Sequence, residues 1–256
     1  MPTITLLTDF GLADTYVGQV KGAMLAIAPT ASIVDLTHAV PPQDIVAGAF
    51  LLWSAVEAFE AGTIHVAVVD PGVGSVRRAI ALTTARGDFL VGPDNGLLVP
   101  AGLRLGGITQ VVELNEPTFW RLAVPSASFH GRDIFGPVAA HLASGVPLSR
   151  LGQPAADVIR MALPAPDGPR GEVIHIDTFG NLVTNLSGAD LPGTFRALIA
   201  QRTVPGHAYY AAVKPGELVA LVGSGGLLEI SVRDGNAAEM TGACRGTPVV
   251  VEAVAD

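Results

Sequence analysis

Three aspartates in this 256-residue chain stand where runs of apolar residues end. Asp9 closes ITLLTD, Asp70 closes TIHVAVVD, and Asp177 closes VIHID. Arg77 follows Asp70 by seven residues, across a Pro-Gly-Val-Gly turn. An ionised carboxylate accepts protons and hydrogen bonds, and a nearby guanidinium favours its charged form. The pattern indicates an acidic crevice suited to a small ligand, including a cationic one.

Turn chemistry offers a plainer explanation for each of these residues taken alone. Asp before Gly or Pro commonly accepts hydrogen bonds from the backbone that follows it. His130, in SASFHGRD, could be a surface or packing residue, and Asp133 is placed to cap the helix predicted after it. The presence of TDFG, VDPGVG and FHGRD together in one chain favours a functional site over three unrelated turns.

Other short motifs carry less chemistry. GPDNGLL at 92–98 predicts a hairpin turn centred on Asn95 and Gly96. GSGG at 223–226 lacks the Lys and the following helix of a phosphate-binding loop. The six histidines and the single Cys244 show no zinc-ligand spacing, so no metal is expected. Cys244 is expected to be a small packed residue.

Composition narrows the class of protein. A hydrophobic fraction of 49% supplies a large core, and a net charge of −8 argues against nucleic-acid binding. The longest apolar run, IVAGAFLLWSAV, falls short of the roughly 20 residues that span a bilayer. Met1 leads directly into a predicted strand without a signal peptide, and one cysteine cannot form an intrachain disulfide. We therefore expect a cytoplasmic protein with no membrane partner.

The elements that must position these residues follow from hydrophobic periodicity. Strand-like runs at 4–9, 32–36 and 63–70 alternate with helix-like segments, and 79–85 with 88–96 predicts a hairpin. This alternation predicts an α/β fold: an N-terminal α/β domain at 1–160 with a mostly parallel sheet flanked by helices. A proline-rich connection at 145–170 leads into a smaller, all-β, barrel-like domain at 161–256.

Fold class also explains why carboxylates would lie at strand ends. Ligands of open α/β sheets bind beyond the carboxyl ends of the strands, so Asp9 and Asp70 are expected in one crevice. Asp177 would join them only if the β domain, or a neighbouring subunit's copy of it, covers that crevice.

Five motifs in order extend this interpretation: TDFG (8–11), VDPGVG (69–74) with Arg77, GPDNGLL (92–98), FHGRDIFGP (129–137) and DTFGNLVTN (177–185). Together they resemble the S-adenosyl-L-methionine hydroxide adenosyltransferase family, which is related to fluorinating and chlorinating enzymes that use the same substrate. The resemblance implies that water or hydroxide attacks the ribose 5′ carbon of S-adenosyl-L-methionine, which gives adenosine and L-methionine. It implies a metal-independent hydrolase without a cofactor.

The same resemblance implies the catalytic set Asp70, Arg77 and His130. Water has a pKa of about 15.7, so the nucleophile needs a proton acceptor. Either Asp70 or His130 could be that acceptor, with Arg77 orienting the carboxylate.

Substrate contacts are also implied by position. Asp9 matches the residue that holds the ribose hydroxyls, Phe179 and Tyr210 resemble walls for the adenine, and Ser224 falls in the loop over the methionine carboxylate. Gly225 departs from the halogenating relatives, which carry an arginine there. The full set of expected contact residues is Asp9, Asp14, Tyr16, Phe129, Gly131, Asp177, Phe179, Asn181, Tyr210, Ser224 and Asn236.

Two alternatives to hydrolysis remain at this point. A chlorinase would use the same pocket, although the halogenating relatives carry a tyrosine where this chain has Asp70, and a carboxylate repels halide. A sensor or carrier would bind adenosine or S-adenosyl-L-methionine with negligible turnover. The resemblance further implies a homotrimer with sites at subunit interfaces, each completed by the β domain of a neighbour.

Overall fold

The computed structural model describes residues 1–254, which form two compact units that divide between Leu163 and Pro164. Within residues 1–254, the first unit contains seven strands and four α-helices, and the second contains seven strands and one short α-helix. This arrangement confirms the predicted fold class of an α/β domain followed by a barrel-like β domain.

The first unit is built on one sheet of order β2-β1-β3-β5-β4-β6-β7. The first four of these strands are parallel, and β4, β6 and β7 pair antiparallel. The hairpin predicted from 79–85 and 88–96 is confirmed as β4 and β5. The strands are β1 (Thr3–Thr8), β2 (Ser32–Thr37), β3 (Ile64–Val68), β4 (Ala79–Thr84), β5 (Phe89–Pro93), β6 (Ile108–Glu113) and β7 (Gln153–Pro154).

Helices cover both faces of this sheet because alternate strand residues are apolar on each side. Ile4 and Leu6 of β1 pack against α1 and α4, whereas Leu7 faces the cluster that contains α2 and α3. Asp44 begins α2 by accepting a hydrogen bond from the Ala47 N–H at 3.0 Å, as the sequence predicts. The helices are α1 (Tyr16–Ile27), α2 (Ile45–Ala55), α3 (Val99–Arg104) and α4 (Gly136–Ala143), and a π-helical turn (Gly131–Phe135) leads into α4.

The hairpin turn predicted at GPDNGLL is wrong. The segment instead joins β5 to α3, because Leu97, Leu98 and Ala101 are buried in the cluster under α2. A return as a strand would leave those side chains without that core, so the chain turns into a helix.

The second unit is an antiparallel sheet of order β11-β10-β14-β8-β9-β13-β12 around its own core. A bridge between Gly206 and Ala220 links the two edges, so the sheet is nearly closed into a barrel. Its elements are β8 (Arg170–Ile176), β9 (Leu182–Ser187), β10 (Phe195–Ile199), β11 (Arg202–Pro205), β12 (Leu218–Val222), β13 (Leu227–Val232), α5 (Ala237–Thr241) and β14 (Pro248–Ala253).

Cys244 is exposed, which corrects the expectation of a packed thiol. It lies in the turn between α5 and β14, where its N–H donates to the Thr247 hydroxyl at 2.9 Å. Among residues 1–254, no helix is long and apolar enough to cross a bilayer.

Candidate active site

Asp70, Arg77 and His130 are in contact at one end of the first sheet. Asp70 lies two residues beyond β3, and the turn after it brings Arg77 back to the same place. The Nε of Arg77 donates to both carboxylate oxygens of Asp70, at 2.9 and 3.0 Å, and its Nη2 also contacts Oδ2. The same Nη2 lies 2.8 Å from Nδ1 of His130. The guanidinium therefore joins the carboxylate to the imidazole.

Burial strengthens this arrangement. The side chains of Asp70 and Arg77 are only 5% and 10% exposed. The guanidinium carbon of Arg77 also lies 5.2 Å from the ring centre of Phe135, in the π-helical turn. Opposite charges in such a poorly hydrated place attract strongly, and the loss of either would leave the other unpaired. The pair should therefore hold one geometry.

Arginine has only N–H donors, so the Nδ1 of His130 must be the acceptor in its contact with Arg77. A neutral His130 then carries its proton on Nε2. Burial first, and the charge of Arg77 second, lower the pKa of His130 below its ordinary value of 6.5. The imidazole is therefore neutral at pH 7, and its Nε2–H is a donor.

The loop that carries Asp70 and Arg77 packs tightly against the segment before His130. Gly74 has φ of +76°, and a Cβ there would overlap the carbonyl oxygen of Ala127. Only glycine combines this left-handed conformation with so close an approach. The two segments that supply the three polar groups are thus in direct contact.

A crevice of about 280 Å³ opens at this place in the first unit. Oδ2 of Asp9 accepts a hydrogen bond from the Gln43 N–H at 2.8 Å, so Oδ1 can accept from other donors. Gln43 has φ of +66°, a strained conformation for a residue with a side chain. The crevice is lined by Asp9, Phe10, Gln43, Val68, Asp70, Pro71, Val73, Ser128, Phe129, His130 and Gly131.

Aromatic rings form one wall of the crevice. The rings of Phe10, Tyr16 and Phe129 meet edge to face, with centres 5.3 to 6.2 Å apart. A Cβ at Gly131 would lie 3.3 Å from the Phe10 ring, so this glycine lets the π-helical turn approach the wall. Asp14 is exposed two residues before Tyr16. The expected contacts Asp9, Phe129 and Gly131 are thus brought to the crevice, and Tyr16 borders it through Phe129.

Asp133 is not a helix cap, contrary to expectation. Its buried carboxylate accepts hydrogen bonds from the Ser126 N–H at 2.9 Å and from Arg132 at 2.7 and 2.9 Å. Burial by itself raises the pKa of Asp133, but these hydrogen bonds outweigh it, and the pKa is lower than usual. Asp133 therefore ties the loop before His130 to the π-helical turn.

In the second unit, Asp177 and Asn181 form a local cluster just beyond β8. Asp177 Oδ1 accepts from the N–H groups of Phe179 and Asn181, both at 2.9 Å, and Oδ2 accepts from Asn181 Nδ2 at 2.8 Å. The Phe179 ring, in contrast, is 76% exposed. The turn chemistry that we considered as an alternative for Asp177 is therefore present, and it presents Phe179 to the outside.

The remaining expected residues of the second unit lie on three other segments. Tyr210 donates its hydroxyl to Glu229 at 2.6 Å, and burial together with this carboxylate raises the pKa of Tyr210 to about 12. Asn236 begins α5 by accepting from the Glu239 N–H at 2.9 Å, and its side chain lies where a Cβ of Gly180 would be. Ser224 is exposed in the turn between β12 and β13.

Sequence reasoning missed three residues that shape these places. Phe10 and Gln43 line the crevice, and Glu229 anchors Tyr210. Phe10 lies inside the TDFG motif, next to Asp9, so the sequence could have predicted it as a residue of the site. Gln43 gave none, because a positive φ at a non-glycine residue depends on tertiary contacts. Among residues 1–254, no group of three or more His, Cys, Asp or Glu side chains is arranged to hold a metal ion.

The two units match the two domains of one known family. Residues 4–152 match the SAM hydroxide adenosyltransferase N-terminal domain, and residues 171–250 match the C-terminal domain of the same family. A crystal structure of an uncharacterized conserved protein from Thermotoga maritima has a TM-score of 0.91 at 33% identity, covering 97% of this chain and all of that one.

Curated relatives agree with the family match. Proteins named (R)-S-adenosyl-L-methionine hydrolase are 44% identical in Salinispora arenicola (strain CNS-205) and 42% identical in Thermus thermophilus. These alignments cover 98% and 97% of this chain, and 98% and 99% of those proteins. A fluorinase from Actinoplanes sp. (strain N902-109) is 31% identical, over 74% of this chain and 73% of that protein. The chain therefore belongs to the SAM hydroxide adenosyltransferase family.

Proposed function

We propose that this protein hydrolyses S-adenosyl-L-methionine to adenosine and L-methionine by attack of water on the ribose 5′ carbon. The observation that carries the proposal is the contact of Asp70, Arg77 and His130 at a crevice of the first unit. The relatives at 42–44% identity, which are named (R)-S-adenosyl-L-methionine hydrolase, support the choice of substrate and of its (R) sulfonium form.

In this proposal Asp70 is the base and His130 is a donor. Arg77 occupies the Nδ1 of His130, so only Nε2–H remains to hydrogen-bond the attacking water. Asp70 keeps a free lone pair on Oδ1, because a carboxylate oxygen can accept two hydrogen bonds and Oδ1 accepts only one from Arg77, whereas Oδ2 accepts two. A water molecule held between this donor and this acceptor has a fixed orientation, and its remaining lone pair points in one direction. Attack in line with the carbon–sulfur bond requires such a fixed direction.

The step balances without a cofactor. The water oxygen forms a bond to the 5′ carbon while the carbon–sulfur bond breaks, and its electron pair stays on sulfur as the neutral thioether of methionine. Asp70 takes the proton from the water and later releases it to solvent. Positive charge on the sulfonium disappears as the oxygen loses its proton, so a pocket with little water favours the transition state.

Asp9 has the geometry to hold the ribose. Its Oδ2 is engaged by the Gln43 N–H, which fixes the orientation of the carboxylate and leaves Oδ1 for the sugar hydroxyls. We assign the methionine end to Asp14 and Tyr16, and Phe129 and Gly131 to the wall beside the reacting carbon. In the second unit we assign adenine contact to Phe179 and Tyr210, and contacts to the substrate's polar ends to Asp177, Asn181, Ser224 and Asn236.

We also propose a homotrimer, as the family resemblance implies. Leu12 and Val124 are 76% and 82% exposed, and Val76 is fully exposed, on three of the loops that contribute residues to the crevice. A group of exposed apolar side chains beside a site is compatible with a surface that a partner covers. Sedimentation should give a mass three times that of the 26.2 kDa chain, and Leu12→Glu should lower it. A fully active monomer would contradict this assembly. A cytoplasmic location stays a prediction.

The deciding experiment is product analysis by mass spectrometry in water enriched with oxygen-18. We expect the label on the 5′ oxygen of adenosine and unlabelled methionine, from the (R) sulfonium epimer in preference to the (S). Asp70→Asn is the control and should give little product. Chloroadenosine formed in excess chloride would identify a chlorinase, and substrate that stays bound unchanged for hours would identify a carrier.

A further inference from the structure

The GPDNGLL segment at 92–98 has no role in the proposed chemistry, yet it lies beside the site. It begins with the last two residues of β5, which runs parallel to β3. The carboxyl ends of parallel neighbours lie at the same edge of a sheet, so the segment lies at the edge where Asp70 is found.

Asn95 holds the chain just before Asp70. Its Nδ2 donates to the carbonyl oxygen of Val69 at 2.9 Å. Its Oδ1 accepts from the Leu97 N–H at 3.2 Å, so both ends of the amide are engaged and the side chain has one orientation.

Asp94 holds the chain just after Arg77. Its Oδ2 accepts from Nε and Nη2 of Arg78, at 2.9 and 2.5 Å, and its N–H donates to the Arg78 carbonyl at 3.0 Å. The Asp94 side chain is 3% exposed. Oδ1 of Asp94 accepts from the Ile159 N–H at 2.8 Å, which fixes the carboxylate from its other side.

We propose that Asp94 and Asn95 are positioning residues that clamp the two ends of the 70–77 loop, so that Asp70 and Arg77 meet at His130. Asn95 thereby holds Val69, just before Asp70, and Asp94 holds Arg78, just after Arg77. A loop held only by its own turn would sample many separations, and a misplacement of about 1 Å can cost about 100-fold in rate. The part of this inference that concerns rate rests on the proposed hydrolysis.

The chain offers a matched control at the opposite end of β5. Arg86 donates to Asp88 at 2.7 and 3.0 Å, with side chains 28% and 0% exposed, against 29% and 3% for Arg78 and Asp94. Asp88 precedes β5 and Asp94 follows it. Each arginine also donates to a backbone carbonyl, that of Asp157 for Arg78 and that of Val56 for Arg86, and Arg78 has a further contact with the 85% exposed Asp157 carboxylate, which adds little. The two pairs with a buried aspartate match in type and burial, and only one lies beside the site.

The experiment compares Arg78→Gln and Asn95→Asp with Arg86→Gln. Asn95→Asp keeps the acceptor for Leu97 but turns an oxygen toward the Val69 carbonyl. We expect both clamp variants to lower kcat at least about tenfold with little change in KM, and Arg86→Gln to change kcat less than twofold at a similar loss of Tm. Equal losses of kcat in Arg78→Gln and Arg86→Gln, or wild-type kcat in Asn95→Asp, would overturn the proposal.

A second readout does not need turnover. NMR titration of the His130 ring uses Arg78→Gln and the uncharged Asn95→Ala, because a new carboxylate would itself raise the pKa of His130. The pKa should rise toward 6.5 in both variants, because Arg77 moves away, and stay at the wild-type value in Arg86→Gln. An unchanged His130 pKa in Asn95→Ala overturns the clamp. If the wild type does not hydrolyse S-adenosyl-L-methionine, the proposed function fails and this titration alone decides the inference. If Arg78→Gln does not fold, the variants of the partly buried Asn95 decide it.

Discussion

The two partners of Arg77 differ in what they can do with a proton. His130 receives a hydrogen bond at Nδ1, whereas Asp70 can still accept from water. We expect Asp70→Asn to lower kcat about 10²- to 10⁴-fold, which is the usual contribution of a general base. His130→Gln keeps an N–H near the Nε2 position and should lose less. Steady-state kinetics of both variants tests this order, and a larger loss in His130→Gln would make the histidine the base.

Residue-scale chemistry also fixes the direction of the pH dependence. Burial and Arg77 lower the pKa of His130, so the neutral ring is the working form at pH 7. Protonation at Nδ1 would aim a second N–H at the guanidinium and break the contact. We therefore expect kcat/KM to be highest at neutral pH and to fall as the pH is lowered, with a midpoint below 6.5. His130→Gln should remove this limb, and a wild-type midpoint above 6.5 would contradict the assignment.

At the scale of elements, the 70–77 loop works only if it lies against the segment before His130. Gly74→Ala should lower the free energy of unfolding by about 1–2 kcal/mol because of the left-handed φ, and by more because the added Cβ overlaps the Ala127 carbonyl. Gly62→Ala is the control, because φ is +86° there and no atom lies within 4 Å of the added Cβ. Denaturant unfolding should show a lower free energy of unfolding in both variants. Only Gly74→Ala should have a lower kcat. Equal kcat values in the two variants would show that the contact of Gly74 with Ala127 is not needed for catalysis.

Element ends explain why the site lies where it does. Strand β3 delivers Asp70, β1 delivers Asp9, and the π-helical turn before α4 delivers His130 to the same edge. The first two placements follow from parallel pairing of β1 with β3. The third requires α4 to pack across the sheet beside α1.

For the whole molecule, the buried His65 contributes to the loss of stability in acid. His65 of β3 is fully buried, and burial lowers its pKa to about 4, although Asp88 opposes the shift. The unfolded chain binds this proton at about pH 6.5, so stability falls as the pH drops from 6.5 toward 4. We expect the linked protonation of His65 to lower the free energy of unfolding by about 2 kcal/mol between pH 7.5 and pH 5.

Urea unfolding at these two pH values tests the expectation. His65→Gln cannot be protonated and can still hydrogen-bond to Thr5, whose hydroxyl lies 2.8 Å from the His65 Nδ1 in the wild type. The variant should lose about 2 kcal/mol less than the wild type on acidification. The lowered pKa values of His130, His141 and His175 add a loss common to both proteins. An equal loss in the two proteins would remove His65 as the cause.

The sequence alone determined the features that depend on near neighbours in the chain. Apolar periodicity predicted the two-unit α/β and β fold, the β4–β5 hairpin and the cap at Asp44. The meeting of Asp70 with Arg77 was also readable, because one turn separates them. Residue order further supplied the motifs on which family membership rests.

Only the tertiary structure decided the features that join distant segments. His130 is 53 residues from Arg77, and their contact depends on how α4 packs on the sheet. The turn at 92–98, the role of Asp133 and the exposure of Cys244 were predicted wrongly for the same reason. A short polar motif permits several local conformations of similar energy, and the burial of apolar side chains elsewhere in the fold selects one of them.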